Sequence, residues 1–155
     1  MIQHEIKNYQ HSDQDGVIEF FRAVFAEMGF DFDLTARHKD LTNITNEFQA
    51  NGGLFLLATH KGRLIGTVAL RQIAKDTCEL KRFFVRREFH RKGVGTGLLK
   101  RAIAHAKAGP WSRLRLDTSH RSPAAIALFK KHGFVEIERF NQDPFAEIFM
   151  ELTTA

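Results

Sequence analysis

The stretch that most constrains this chain runs from Glu79 to Leu99. There a strand-like run, Glu79-Leu80-Lys81-Arg82-Phe83-Phe84-Val85, empties into His90-Arg91-Lys92-Gly93-Val94-Gly95-Thr96-Gly97, and a helix follows. Glycines ahead of a helix let the backbone bend tightly and leave N–H groups unpaired at the positive end of the helix dipole. Such a turn is a socket for a phosphate or pyrophosphate. Arg86, Arg87, Arg91 and Lys92 crowd the same turn with positive charge, which a solvent-exposed loop without an anionic ligand has little reason to gather.

Spacing separates the nucleotide-binding families that use such loops. A P-loop needs Gly-Lys-Ser or Gly-Lys-Thr, and Gly93-Val94-Gly95-Thr96-Gly97 has no lysine. The dinucleotide fingerprint wants the first strand-to-helix turn of the chain and an acidic residue about 20 positions on, and neither fits. His90, Gly93 and Gly95 instead match the order Gln or Arg, two residues, Gly, any residue, Gly or Ala. Downstream, Leu114 to Thr118 precedes Ser122-Pro123-Ala124-Ala125-Ile126-Ala127-Leu128-Phe129-Lys130-Lys131-His132-Gly133-Phe134. That block looks like Asn-x-x-Ala-x-x-Leu-Tyr-x-x-x-Gly-Phe. With both blocks in order, the chain resembles the Gcn5-related N-acetyltransferase (GNAT) superfamily, most strongly over residues 53 to 137.

Length and composition agree with a single N-acetyltransferase domain over residues 1–155. Apolar residues make up 43% and Phe alone contributes 15, enough to build a core. No segment has the apolar length of a membrane span, and Met1-Ile2-Gln3-His4-Glu5 lacks the features of a signal peptide. A cytoplasmic protein is expected. The net charge of +5 is concentrated between Lys81 and Arg101, where coenzyme A would bring its phosphates, and no aromatic-basic interleaving suggests nucleic acid. The histidines show no paired ligand spacing, so no metal site is expected. Single Cys78 forms no internal disulfide and reads as small strand filler.

Periodicity gives alternating strands and helices. Ile2 to Tyr9 reads as a strand. Ser12 with Asp15 reads as a capping box, ahead of Val17, Phe20, Phe21, Val24, Phe25 and Met28 at helical spacing. A short helix is expected over Leu41 to Gln49, ended by Asn51-Gly52-Gly53. Leu54 to Thr59 and Leu64 to Ile73 flank the hairpin signal Lys61-Gly62-Arg63. Leu98, Leu99, Ala102, Ile103 and Ala106 mark the inner stripe of the helix after the glycine turn, which ends near Gly109-Pro110. Ser122 suits an N-cap, Pro123 the first helical position and Gly133 the left-handed exit. Phe134 to Ile137 and Glu147 to Leu152 complete an α/β fold. Its mixed, mostly antiparallel sheet of about seven strands is splayed centrally and carries helices on both faces.

The resemblance implies direct transfer of an acetyl group from acetyl-CoA to a primary amine through a tetrahedral intermediate. Cofactor contacts then fall on Arg91, Lys92, Gly93, Val94, Gly95 and Thr96 for the pyrophosphate, on the backbone of Phe84 and Val85 for the thioester oxygen, and on Ser122 and Phe129. An amine needs a base, and Glu79 is the candidate. Strand alternation sets Glu79, Lys81, Phe83 and Val85 on one side unless a bulge resets the phase. The family's usual proton-donating tyrosine is here Phe129, which has no proton to give, and His90 stands where Gln or Arg is usual. Water, Thr118, Ser119 or His120 are the substitutes. Acceptor determinants are expected in residues 30–48 and 140–145, with Asp31, Asp33, Asp40 and Glu47 to attract an ammonium and Phe30, Phe32 and Phe145 to take an apolar part. A small-molecule amine or amino acid is the expected acceptor. A protein or peptide amine and a non-catalytic acyl-CoA-binding module are the alternatives, and a homodimer is compatible with the family.

Overall fold

Alternating apolar stripes and turn residues fold into one sheet, described for all residues 1–155 by a computed structural model. Strands β1 (Glu5–Asn8), β2 (Leu54–His60), β3 (Arg63–Ala74), β4 (Thr77–Val85), β5 (Arg113–Thr118), β6 (Val135–Ile137) and β7 (Ile148–Thr153) lie in the order β1-β2-β3-β4-β5-β7-β6. Every neighbouring pair is antiparallel except β4 and β5. Those two are parallel and paired only through Thr77–Glu79 and Arg113–Arg115. Beyond Glu79 and Arg115 they diverge, so the sheet opens into a wedge at its centre.

Helix α1 (Gln14–Met28) covers one face, burying Val17, Phe20, Phe21, Val24 and Phe25 against Phe55, Leu57 and Ala69. The spacing i, i+3, i+4, i+7, i+8 makes one continuous stripe, and each buried side chain contributes about 2 kcal/mol of apolar transfer. Helices α2 (Val94–Ala108) and α3 (Pro123–Lys131) cover the other face, with Leu98, Leu99, Ala102 and Phe129 packed on Leu56, Val68 and Leu116. No helix is long and apolar enough to cross a membrane.

Several boundaries differ from the sequence reading. β1 starts at Glu5 rather than Ile2, because the Ile2 N–H donates to the Lys92 carbonyl at 3.2 Å instead of joining the ladder. α1 starts after Asp13, whose Oδ2 accepts the Gln10 N–H at 2.9 Å, so Ser12 and Asp15 form no capping box. Residues 39–52 make successive tight turns instead of one helix, including a π-helical turn over Thr45–Gln49. Leu41, Ile44 and Phe48 still point inward, but non-helical Asn43 and left-handed Asn51 break the helix on either side.

α2 begins at Val94, inside the glycine run. Gly93 is its N-cap at φ +87°, and Gly95 and Gly97 are helical. Their missing side chains allow close packing: a Cβ on Gly95 would sit 3.4 Å from the Phe83 ring, and one on Gly97 would sit 3.0 Å from His4 Nε2.

Strand β4 carries the decisive irregularity. Thr67 pairs with Phe84 and Ala69 with Lys81, so Arg82 and Phe83 together oppose Val68. Arg82 adopts left-handed backbone at φ +53°. This is a β-bulge, and it resets the side-chain phase. Glu79 therefore does not share a side with Phe83 and Val85, as unbroken alternation would have it. Cys78, Leu80, Phe83 and Val85 pack with the α2 face. Phe84 packs with the α1 face, its ring edge-on to Phe21 and Phe25 at 5.6 and 5.2 Å.

Candidate functional site

The wedge has a main-chain side and a side-chain side. On the main-chain side, Gly97 N donates to Gly93 O at 3.0 Å as the first bond of α2, leaving the amides of Val94, Gly95 and Thr96 without backbone acceptors. These are the orphan donors of a helix N-terminus, and they fit an oxyanion. A residue other than glycine at position 93 would be strained at its φ, and its Cβ would run into the Met1 side chain. Arg91, left-handed at φ +61°, is exposed, and Lys92 is half-buried beside the turn.

Two of the four cations expected at this turn are occupied elsewhere. Buried Arg86 donates from Nε to Leu64 O at 2.8 Å and lies over the Phe20 ring. Arg87 donates from Nη2 to Glu27 O at 2.6 Å. Arg91 and Lys92 remain for a phosphate.

At the end of β4, Arg86 N–H donates to Ile65 O at 2.9 Å. Strand alternation then turns the N–H and C=O of Val85 away from β3 and into the wedge. His90 Nε2 lies 2.8 Å from Val85 O, so this histidine fastens the turn to the strand end and leaves the Val85 N–H facing the gap. The amide of Phe84, also expected there, points to its partner Thr67 instead. Ser122 precedes α3 without a side-chain cap bond, although its carbonyl accepts the Ile126 N–H at 3.1 Å. Phe129 is buried between Phe83 and Phe134, ring centroids 5.5 and 5.6 Å away. Gly133 takes the left-handed exit at φ +96°.

The side-chain side is charged. Glu79 is 3% exposed, and its Oε1 accepts from Arg71 Nε at 3.0 Å. Arg82 holds Asp40 with two bonds of 3.1 and 2.7 Å. A cavity of about 330 Å³ is lined by Arg37, Leu80, Lys81, Arg82, Asp117 and Phe145, among others. A second, of about 450 Å³, includes Arg71, Glu79 and Phe140 and shares Lys81 and Asp143 with the first. These volumes suit a small ligand.

Of the residues expected to shape the acceptor pocket, Phe145 lines the first cavity, with the Arg37 guanidinium 3.7 Å above its ring. Asp40 is bound to Arg82, Asp33 accepts the Thr35 N–H and hydroxyl, and Asp31 and Glu47 are exposed and line neither cavity. Phe30 and Phe32 pack on Phe25.

Sequence reading missed Asp117 and Lys81 as site residues. Leu114 and Leu116 face the α2 core, so alternation along β5 sends Arg115 and Asp117 to the α1 face, at the mouth of the wedge. Asp117 Oδ2 accepts from Asn141 Nδ2 at 2.6 Å, and no cation lies within ion-pair distance. That alternation was present in the sequence, but only the observed divergence of the strands gives it meaning. Cys78, in contrast, is buried, and burial pushes its thiol up to about 12, which makes it a packing residue rather than a nucleophile.

Comparisons with known proteins agree with this geometry. The family model described as "Acetyltransferase (GNAT) family" matches residues 18–134. An uncharacterized N-acetyltransferase of Schizosaccharomyces pombe is 29% identical over 123 residues, covering 77% of this chain and 76% of that protein. A probable N-acetyltransferase 14 of Xenopus tropicalis is 44% identical over 72 residues, and the match spans 46% of this chain but only 35% of that longer protein. Among solved structures, a GNAT-family acetyltransferase of Staphylococcus aureus superposes with a TM-score of 0.90 at 24% identity, over 99% of this chain and 100% of the other. The PaiA N-acetyltransferase of Thermoplasma acidophilum, solved in complex with coenzyme A, gives 0.74 at 24% identity over 98% and 99%. These two structures share the fold. With most of its length matched by the family model and the two motif blocks flanking one wedge, the chain belongs to the acetyltransferase (GNAT) family.

Proposed function

We propose that this N-acetyltransferase moves an acetyl group from acetyl-CoA to a primary amine of a small molecule or amino acid, with Asp117 as the proton acceptor. The observation that carries the reading is the wedge itself. Unpaired amides at the start of α2 and the inward Val85 N–H lie on one side, and a charged cavity containing a carboxylate lies on the other.

Bound acetyl-CoA would supply an activated thioester. The amides of residues 94–96, with Arg91 and Lys92, would hold its pyrophosphate, and the Val85 N–H would donate to the thioester oxygen. A donor preorganised at that oxygen supports acyl transfer by a few kcal/mol. An alkylammonium has a pKa near ~10.4, so only about one molecule in 2,500 is nucleophilic at pH 7. Asp117 sits at the wedge mouth without a cationic partner and can take that proton. Glu79, the base expected from the sequence, is committed to Arg71. A leaving thiol of pKa near ~8.5 departs tolerably as thiolate, which suits Phe129 in place of a proton donor.

Phe129 also favours a second reading, a module that binds acyl-CoA and transfers nothing. Thiol release from acetyl-CoA across a panel of amines separates the two, with equilibrium binding of acetyl-CoA measured in parallel. Turnover of at least one amine is expected in the wild type. Asp117→Asn is expected to lower kcat by a factor of about 10² to 10³ with little change in acetyl-CoA affinity. Binding without turnover of any amine would favour the module.

A further inference from the structure

We propose that the acceptor is an amine that also carries an anionic group, a carboxylate above all, and that Lys81 is the anchor for that group. This rests on the acetyltransferase reading and specifies the substrate class of the same site.

Glu79 and Arg115 are the last paired residues of β4 and β5. Two residues further on, Lys81 and Asp117 therefore occupy equivalent places on the two arms of the wedge, both on the α1 face and both lining the smaller cavity. They carry opposite charges but make no ion pair with each other, because the strands have parted.

The remaining charges around them are spent. Arg82 is held by Asp40 at 2.7 and 3.1 Å, and Arg71 by Glu79 at 3.0 Å. Arg37 stands 4.0 Å from Asp143 and stacks on Phe145. No carboxylate comes within 4.0 Å of the Lys81 ammonium, and Lys81 is a half-buried residue that lines both cavities.

The ammonium of a half-buried lysine that lines a cavity and has no counter-ion matches a ligand carboxylate, with which it would form a charge-assisted hydrogen bond. It does not match the coenzyme's phosphates. Those are assigned to the start of α2, which packs on the opposite face of the sheet. With Asp117 across the gap, the site complements a molecule whose amine and acid are a few bonds apart, as in a free amino acid. A peptide N-terminus has an amide where that acid would be.

The test compares free amino acids with their carboxamides and decarboxylated amines, for example leucine, leucinamide and 3-methylbutylamine, by thiol release from saturating acetyl-CoA. The wild type is expected to favour the acid by tenfold or more in kcat/KM. Lys81→Gln is expected to cut that advantage by tenfold or more through KM, and Lys81→Arg to retain most of it. Three results would overturn the inference while leaving the acetyltransferase reading standing: equal use of acid and amide by the wild type, an acid-to-amide ratio unchanged in Lys81→Gln, or preference for a peptide N-terminus. Acetyl-CoA binding with no turnover of any member would remove both.

Discussion

The two sides of the central wedge are built from different materials. The face toward α2 offers main-chain donors, the amides of residues 94–96 and of Val85, held by helix geometry and by strand alternation. The face toward α1 offers side chains from β4, β5 and two loops, with Arg82–Asp40 and Arg71–Glu79 paired and Lys81 and Asp117 left over. Most substitutions leave a main-chain surface alone. A surface made of side chains is changed freely by them.

The sharpest way to break this comparison is on the backbone side. Gly93→Val forces a β-branched residue into left-handed conformation, at a cost of about 1–2 kcal/mol. The expected outcome is a tenfold or greater loss of acetyl-CoA affinity by calorimetry, a melting temperature lower by a few degrees, and little change in the KM of the amine. Unchanged acetyl-CoA affinity would mean that the turn does not hold the nucleotide.

Glu79→Gln probes the other side. The amide can still accept the Arg71 Nε–H but no longer neutralises it, so a stability loss of about 1–2 kcal/mol is expected in urea titration. Its kcat is expected to stay within a few-fold of wild type. A hundredfold drop would move the base from Asp117 back to Glu79.

The smallest effect concerns buried His38, next in sequence to the cavity-lining Arg37. Its Nδ1 accepts the Asp33 N–H at 2.9 Å, and its ring stacks on Phe32. Burial, reinforced by nearby Arg82 and Arg37, lowers its pKa and keeps the ring neutral. The unfolded chain protonates this ring near pH ~6.5, whereas the folded protein does so only at lower pH. Between those values the unfolded state binds more protons, so stability falls as pH drops below about 6.5. His38→Gln is expected to flatten that acid-side slope in chemical denaturation while leaving the slope above pH 7 as it was.

The same division governs how much was legible in the sequence. The stripe on α1 and the left-handed glycines at 93 and 133 were readable, because periodicity and φ are local demands that restrict residue type. The start of α2 was not, since glycines read as loop even where close packing keeps them helical. The acceptor side was harder still. Arg82 has none of the usual marks of a residue with positive φ, and without the bulge the strand assigns Glu79 to the face of Val85. Asp117 gains its meaning from the point at which β4 and β5 stop pairing, a tertiary fact that no local pattern encodes.

The one additional residue in β4 fixes how this chain can diversify. With Arg82 bridging the phase shift, point changes at 79, 81 and 117 alter the lining of the two cavities and leave the unpaired amides at the start of α2 in place. Straightening the bulge at the same length would instead exchange the tenants of both faces at once, sending Phe83 and Val85 toward α1 and Phe84 toward α2, whereas deleting Arg82 restores plain alternation with all three on their present faces. The extra residue is thus what lets Phe83 and Val85 sit over the α2 core while Glu79 and Lys81 stay on the α1 face.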